Sequence, residues 1–405
     1  MHVRGPTRSA SSRGEMDAFG RSLVSLSFHD RDMQLPSPVT ASREDPKSAA
    51  LANDALHEIL NRGTPILGQI QDGTCSGKLC DWQKQFPDDT KLVYMNLPGT
   101  HDAATWNYTK ELQESLFRYT GSDIPPSDYL RCQEHSFFQQ LNRGIRVFDW
   151  RLSYNPGNDT IGFFHGPALL APTTRVEDVL YGFYRWLDLH PSEALLISIK
   201  YEDGPGRVYD AEFQQKLYNV LDSDVAKRYW VQTNGVLGAL GEARGKLTLL
   251  QRSPWSLLPN IPSNSNRFGI HLREDLWIVN GANITLPYNP ADGQIAYIED
   301  YYDPAEAAST GDSIDLKYQA TVAHLERAAT LEPDQLFITF ASARLLTLSP
   351  AVTPKIMAVG DGSSLPGVND QLRDWLRTHK GRRRGIVLLD FFDSTPSLLE
   401  EILDL

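Results

Sequence analysis

An irregular (β/α)8 TIM barrel, of the α/β class, is the fold this sequence predicts. Three observations point to it. Short, nearly continuous apolar runs alternate with longer stretches of helical periodicity, as in parallel sheets buried on both faces. Eight such runs occur, the number a barrel needs. Seven of the eight end in an ionisable residue, and in barrels the C-terminal strand ends hold the site.

The runs, in order, are Leu92–Leu97, Ile145–Trp150, Thr160–Phe164, Ala194–Lys200, Lys246–Arg252, Ile295–Asp300, Leu336–Phe340 and Gly385–Phe391. Helical patterns lie between most of them, clearest at Arg131–Leu141, Val176–Leu189, Tyr209–Arg228, Leu316–Ala329 and Asn369–Thr378. Gly144 and Pro191 supply stop signals. The link Leu152–Asp159 is too short and polar for a helix, so the barrel is expected to be irregular there. Residues 1–87 read as an N-terminal extension, with 1–50 rich in Ser, Arg and Pro and expected to be partly disordered. A short helix is expected over 51–62, and 88–405 reads as the catalytic barrel domain.

Composition narrows the function classes. The 405 residues are 41% hydrophobic and 22% charged, and the net charge is −12. Nucleic-acid binding needs clustered Lys and Arg for counterion release, so this balance argues against it. It argues equally against charge-driven attachment to anionic membranes. The basic run Lys380–Arg384 reads as a solvated loop before a strand. Of three cysteines, Cys75 and Cys80 are near enough in sequence to pair, while Cys132 stands apart. No CxxC or adjacent His set accompanies them, so zinc is not expected. No stretch approaches the roughly 18 apolar residues that span a bilayer. No signal-peptide core follows the basic start, so a cytoplasmic location is expected. A monomer is expected too.

The strand-end residues form a coherent set. His101 and Asp102 follow the first run, Asp149 and Arg151 the second, and His165 the third. Lys200, Arg252 and Asp300 end the fourth, fifth and sixth, and Asp390 stands near the end of the eighth. The seventh ends in the small pair Ala341-Ser342. Buried charges must be paired or cost several kcal/mol. Three cations, four acids and two histidines around one pocket would satisfy one another. Two histidines suit paired general base and general acid work. An adjacent carboxylate can orient an imidazole, and an arginine fork matches phosphate oxygens. No HxH, DxD or Glu-rich pattern suggests a metal, so neither metal nor cofactor is expected. Together these favour cleavage of a phosphodiester, with attack by a hydroxyl of the substrate itself.

The strings Pro98-Gly99-Thr100-His101-Asp102, Phe148-Asp149-Trp150-Arg151 and His165-Gly166 resemble the X-region of phosphatidylinositol-specific phospholipase C, over roughly residues 90–395. The likeness is to the bacterial-type, metal-independent enzymes and their fungal relatives, in the PLC-like phosphodiesterase superfamily. It implies His101 as the base on the inositol 2-hydroxyl and His165 as the acid on the diacylglycerol oxygen. It implies Arg151 as the phosphate-binding group that stands where eukaryotic enzymes place calcium. Asp102 matches the acid that works with the second histidine, Asp390 the carboxylate orienting the base, and Asp149 a supporting acid. Lys200, Arg252 and Asp300 match groups that bind ring hydroxyls, and Tyr302 a stacking platform. After Arg151, Leu152-Ser153 replaces the family's Gly-Arg, and the Ser253–Arg267 insertion is unusual.

The reaction implied yields diacylglycerol and inositol 1,2-cyclic phosphate, which slow hydrolysis can then open. Phosphatidylinositol at a membrane surface is the expected partner. The loop Pro254–Pro262, carrying Trp255, is the expected peripheral contact. Alternatives are a glycerophosphodiesterase, cleavage of glycosylated phosphatidylinositol anchors, and an inactive barrel that only binds inositol headgroups.

Overall fold

Residues 46–405 are described by the computed structural model, apart from 74, 76, 205, 233, 234 and 262–267. The expectation of disorder over 1–50 and part of the Ser253–Arg267 insertion therefore lie largely outside the described residues. The strands are β1 (Leu97–Thr100), β2 (Val147–Tyr154), β3 (Ile161–His165), β4 (Ala168–Leu169), β5 (Leu195–Tyr201), β6 (Leu247–Gln251), β7 (Gly269–His271), β8 (Ile284–Asn289), β9 (Gln294–Glu299), β10 (Leu336–Phe340) and β11 (Ile386–Leu389). They pair in the order β7-β6-β5-β2-β1-β11-β10-β9-β8. The pairs from β7 round to β9 are parallel, which makes eight parallel strands, and β8 lies antiparallel on β9. The irregular barrel is thus the fold observed.

The strands differ from the sequence reading at three places. The third apolar run does not join the barrel. A parallel return needs a dozen or more connecting residues, and the turn after Tyr154 holds only six, with Gly157 and Asn158 at positive φ. β3 therefore folds back on β2, with Leu152 opposite Phe163 and Tyr154 opposite Ile161. The eighth parallel place is taken by β7, three residues long, too short to show a period in sequence. The first run also starts late: Leu92–Tyr94 forms a 3-10 turn, and the strand begins at Leu97.

Strand alternation sorts the side chains into two cores. Val147, Leu196, Leu250, Ile298, Ile338 and Leu388 belong to one apolar cluster drawn from six barrel strands. Their neighbours Phe148, Ile197, Leu249 and Val387 belong to the other, which includes the helical layer. There, Phe137 stacks on Trp150 at 5.7 Å and Phe183 meets both Phe148 and Trp150 edge-on. Phe183 lies on the helix Val176–Leu189, where it was expected. Gly99 lets the strands close up, since a Cβ there would stand 2.6 Å from Leu388 and 2.8 Å from Val147.

Described residues from Ala50 to 87 belong to the same body as the barrel. The helix Pro46–Leu67 buries Leu60, Ile66 and Leu67, and Arg62 grips the buried Asp178 through Nε at 2.9–3.0 Å. Cys75 and Cys80 form a disulfide. The Lys380–Arg384 run is not wholly solvated. Arg384 is buried and binds Asp404 at 2.8 Å, and Arg383 donates to the carbonyls of Val93, Ala328 and Gln335.

Candidate active site

Each inward-facing column of the barrel changes character at its C-terminal end. On β2, Val147 is followed two and four residues later by Asp149 and Arg151. Beyond β5, Leu196 and Ser198 lead to Lys200 and Glu202. Leu250 leads to Arg252, Ile298 to Asp300 and Tyr302, and Leu388 to Asp390. Period-two alternation alone carries an apolar interior into a polar mouth. There a cavity of about 290 Å³ is lined by His101, Arg151, His165, Lys200, Glu202, Arg252, Asp300, Tyr302, Arg344 and Asp390, among others. A larger cavity of about 410 Å³ lies against the helix Val176–Leu189, but it holds none of these groups.

His101 and Asp102 are consecutive, yet both address this mouth. In an extended strand they would point to opposite faces. Asp102 instead takes a left-handed backbone, φ +40°, which Asp tolerates better than most residues. Gln133 ties the ends of β1 and β11 together, its Nε2 donating to the carbonyls of His101 and Leu389 at 2.8 Å each.

The bonds of the two histidines define their tautomers. Arg151 Nη2, a donor only, lies 3.0 Å from His101 Nε2, so that nitrogen accepts. His101 Nδ1–H then donates to Asp390 Oδ1 at 2.9 Å. His165 Nδ1–H donates to the Leu130 carbonyl at 2.6 Å, leaving its Nε2 free to face Asp102. Asp102 Oδ2 lies 3.0 Å from that Nε2 and 3.1 Å from His101 Nε2, and Oδ1 lies 2.7 Å from Arg151 Nε. His165 reaches this position because β3 runs back down β2, which brings its end level with Trp150 and Arg151.

Burial dominates the electrostatics. It pushes the Asp102 carboxyl well up, against the pull of Arg151. It drives His101 well below its ordinary value, helped by Arg151, and takes His165 down to about 4. Asp390 is pushed up, by burial and by the nearby Asp102. Asp149 goes the other way: burial raises it, but Arg151 and Arg252 outweigh burial and hold it below the carboxylate range. Burial thus works against charge on Asp102 and on both imidazoles.

All ten residues singled out from sequence line the cavity or touch groups that do. Asp149 and Asp102 sit just beneath it, Asp149 accepting from Arg151 at 3.2 Å and lying 3.6 Å from Arg252. The sequence reading missed several others. Glu202 lies 3.3 Å from Lys200 and 3.7 Å from Arg151, and accepts the Gly166 N–H at 2.8 Å. Arg151 and Lys200 hold it below its ordinary value despite burial. Its signal was present: it stands two residues after Lys200 on the same face. Trp277 supports two ring-binding candidates, with Arg252 over its ring at 3.9 Å and its Nε1–H donating to Asp300 at 2.8 Å. No strand-end rule could find it, because it follows the short β7.

Trp255 does not fill the role expected of it. It is 1% exposed and packs edge-on against Tyr218, so the ring serves the core. The exposed aliphatics of neighbouring strand-end loops are Val208 (60%), Leu257 (49%), Ile278 (60%) and Val279 (77%).

Three overlapping groups place possible metal-ligand atoms within 4.8 Å of one another: His101 with Cys132 and Asp390, Asp102 with Cys132 and His165, and His101 with Asp102 and Asp149. The Arg151 guanidinium is wedged between the Asp102 and Asp149 carboxylates and supplies the positive charge there.

Comparison with known proteins finds similarity at low identity. No protein-family model matches the chain. A 1-phosphatidylinositol phosphodiesterase of Listeria monocytogenes is 25% identical over 316 residues, covering 76% of this chain and 80% of that protein. The PI-PLC X domain-containing protein 1 of Danio rerio is 26% identical over 138 residues, 31% of this chain and 44% of that one. A phosphatidylinositol-specific phospholipase C structure from Staphylococcus aureus superposes with TM-score 0.60 at 19% identity, over 81% of this chain and 97% of that one. The corresponding Listeria monocytogenes structure gives 0.56 at 23%, over 80% and 98%. The chain is thus similar in sequence to bacterial 1-phosphatidylinositol phosphodiesterases and shares the barrel fold of the bacterial phospholipase C structures.

Proposed function

We propose that this protein is a phosphatidylinositol-specific phospholipase C of the metal-independent type. One observation carries the reading: the Nε2 atoms of His101 and His165 both face one oxygen of Asp102, whose other oxygen faces Arg151. That geometry supports reading His101 as the base, His165 as the acid and Arg151 as the phosphate-binding cation of one reacting centre.

In the first step His101 Nε2 takes the proton of the inositol 2-hydroxyl, with Asp390 bearing the imidazolium charge that forms. The hydroxyl oxygen attacks phosphorus and the bond to the glycerol oxygen breaks. The departing oxygen receives its proton from the Asp102–His165 pair, through His165 Nε2. Arg151 stabilises the charge growing on the non-bridging oxygens. Inositol 1,2-cyclic phosphate and diacylglycerol result. In the second step water replaces the diacylglycerol and the histidines exchange roles. Lys200, Arg252 and Asp300 hold ring hydroxyls, and Tyr302 supports the ring face.

The lipid is met at a membrane surface. No helix among the described residues is long and apolar enough to cross a membrane. Val208, Leu257, Ile278 and Val279 are the side chains that suit interfacial contact, in place of Trp255. The Cys75–Cys80 disulfide suits an oxidising compartment. Cell fractionation would decide between that and the cytoplasmic expectation.

Phosphorus NMR on phosphatidylinositol vesicles with excess EDTA tests the reading. A cyclic inositol phosphate signal is expected. Headgroup binding without turnover would favour the inactive-barrel alternative, and turnover of only glycerophosphodiesters or glycosylated anchors would reassign the substrate.

A further inference from the structure

We propose that Arg344 is a second phosphate-binding arginine, which grips the reacting phosphodiester from the end of β10, three strands round the barrel from the β2 that carries Arg151. The proposal rests on the phosphodiesterase reading of this pocket. The inward column of β10 runs from Ile338 through Phe340 and Ser342 to Arg344, which lines the same cavity as His165, Tyr302 and Asp390. Its backbone is held in place. The Arg344 N–H donates to the Tyr302 carbonyl at 2.9 Å, and the next residue, Leu345, exchanges two 2.8 Å hydrogen bonds with Val352.

The side chain is distinguished by what it lacks. Arg151, Lys200 and Arg252 each face a carboxylate, at 2.7, 3.3 and 3.6 Å. Arg344, among the described residues, has no hydrogen-bond or ion-pair partner for its guanidinium. A half-buried arginine in a cavity invites an anion. β1 and β11 separate β2 from β10, so the groups they carry, His101 and Asp390, lie between Arg151 and Arg344. The Arg344 charge reaches His165, whose proton affinity it helps to lower.

The chemistry favours the reacting phosphate as the anion. A phosphodiester has two non-bridging oxygens, and both gain charge as the 2-hydroxyl oxygen bonds to phosphorus. Arg151 already faces Asp102 and Asp149 at 2.7 and 3.2 Å, and Arg344 faces no carboxylate at such a distance among the described residues. No atom or proton passes through Arg344; it binds and stabilises charge.

The test compares inhibition by inositol 1-phosphate and by neutral myo-inositol in the full-length protein and in Arg344→Ala. A charge-assisted hydrogen bond is worth roughly 10- to 100-fold in binding. Arg344→Ala is expected to weaken inositol 1-phosphate by about that factor and to leave myo-inositol unchanged, with Arg344→Lys recovering part of the loss. The unchanged myo-inositol constant also shows that the pocket is intact. Equal constants for wild type and Arg344→Ala with inositol 1-phosphate would overturn the proposal. So would a loss confined to inositol lipids bearing a further ring phosphate, with phosphatidylinositol turnover unaffected. If the wild type itself binds inositol 1-phosphate no better than myo-inositol, the phosphodiesterase reading fails as well.

Discussion

His101 and His165 stand edge to face, ring centroids 6.2 Å apart, and turn their Nε2 atoms to the same oxygen of Asp102. One buried carboxyl thus connects an imidazole that follows a barrel strand with one from the hairpin that folds back on β2. In the proposed reaction this geometry lets the Asp102–His165 pair serve the leaving group, while burial keeps His101 neutral for the attacking hydroxyl.

His101→Ala and His165→Ala are each expected to lower kcat by about 10²–10⁴-fold, the usual share of a general base or acid. Asp102→Asn is expected to act on the same step, because an amide cannot relay the proton. Phosphatidylinositol turnover with circular dichroism as the folding control checks this. Near-normal turnover in either histidine variant would refute the assignment.

EDTA is expected to change kcat by less than about twofold, since Arg151 supplies the charge that a cation would otherwise bring. Inhibition by the chelator that calcium reverses would refute the metal-free reading.

The depressed His165 predicts acid sensitivity with a definite sign. Its folded value is about 4, against about 6.5 for an unperturbed imidazole. Between those values the unfolded chain takes up a proton that the folded chain refuses. The contribution is complete above pH 6.5 and is lost as pH falls through the window, at about 1.4 kcal/mol per unit. Denaturant midpoints at pH 7 and pH 5 measure it, and His165→Gln should flatten the difference.

Lys317 and Glu299 form an ion pair at 2.6 Å with both side chains fully buried, and burial takes Glu299 up to about 7 even so. Lys317→Met strands that carboxylate and is expected to destabilise the fold by about 3–5 kcal/mol at pH 8. The loss should shrink at pH 5, where a lone Glu299 is protonated. Thermal midpoints at the two pH values check it.

Replacing Leu257, Ile278 and Val279 together by Ser is expected to weaken sedimentation with phosphatidylinositol vesicles about tenfold or more, at roughly 0.8 kcal/mol per buried CH₂. Turnover of a soluble inositol phosphodiester should be unchanged. Unaltered vesicle binding would move the contact surface elsewhere.

What the sequence by itself determined was the periodic part of the molecule. Seven of the eight runs matched barrel strands at or near their places, because a parallel strand buried on both faces must be apolar for its whole length. His101, Arg151, Lys200, Arg252 and Asp390 were legible for the same reason, each standing where an apolar column meets the mouth. Glu202 and Arg344 obey that rule one step further out, past the point where the apolar run marks the strand. Tertiary structure alone decided the rest. Whether Thr160–Phe164 joined the barrel or folded back on β2 depended on connection length, and only the antiparallel return brings His165 down to Asp102. Trp255 had the composition of an interfacial loop, but its burial against Tyr218 depended on a helix some forty residues earlier in the chain. The close pairing of Asp102 and His165 at 3.0 Å, and the burial that shifts both groups, have no sequence signature, since they arise from desolvation and from a distance set by separate strands.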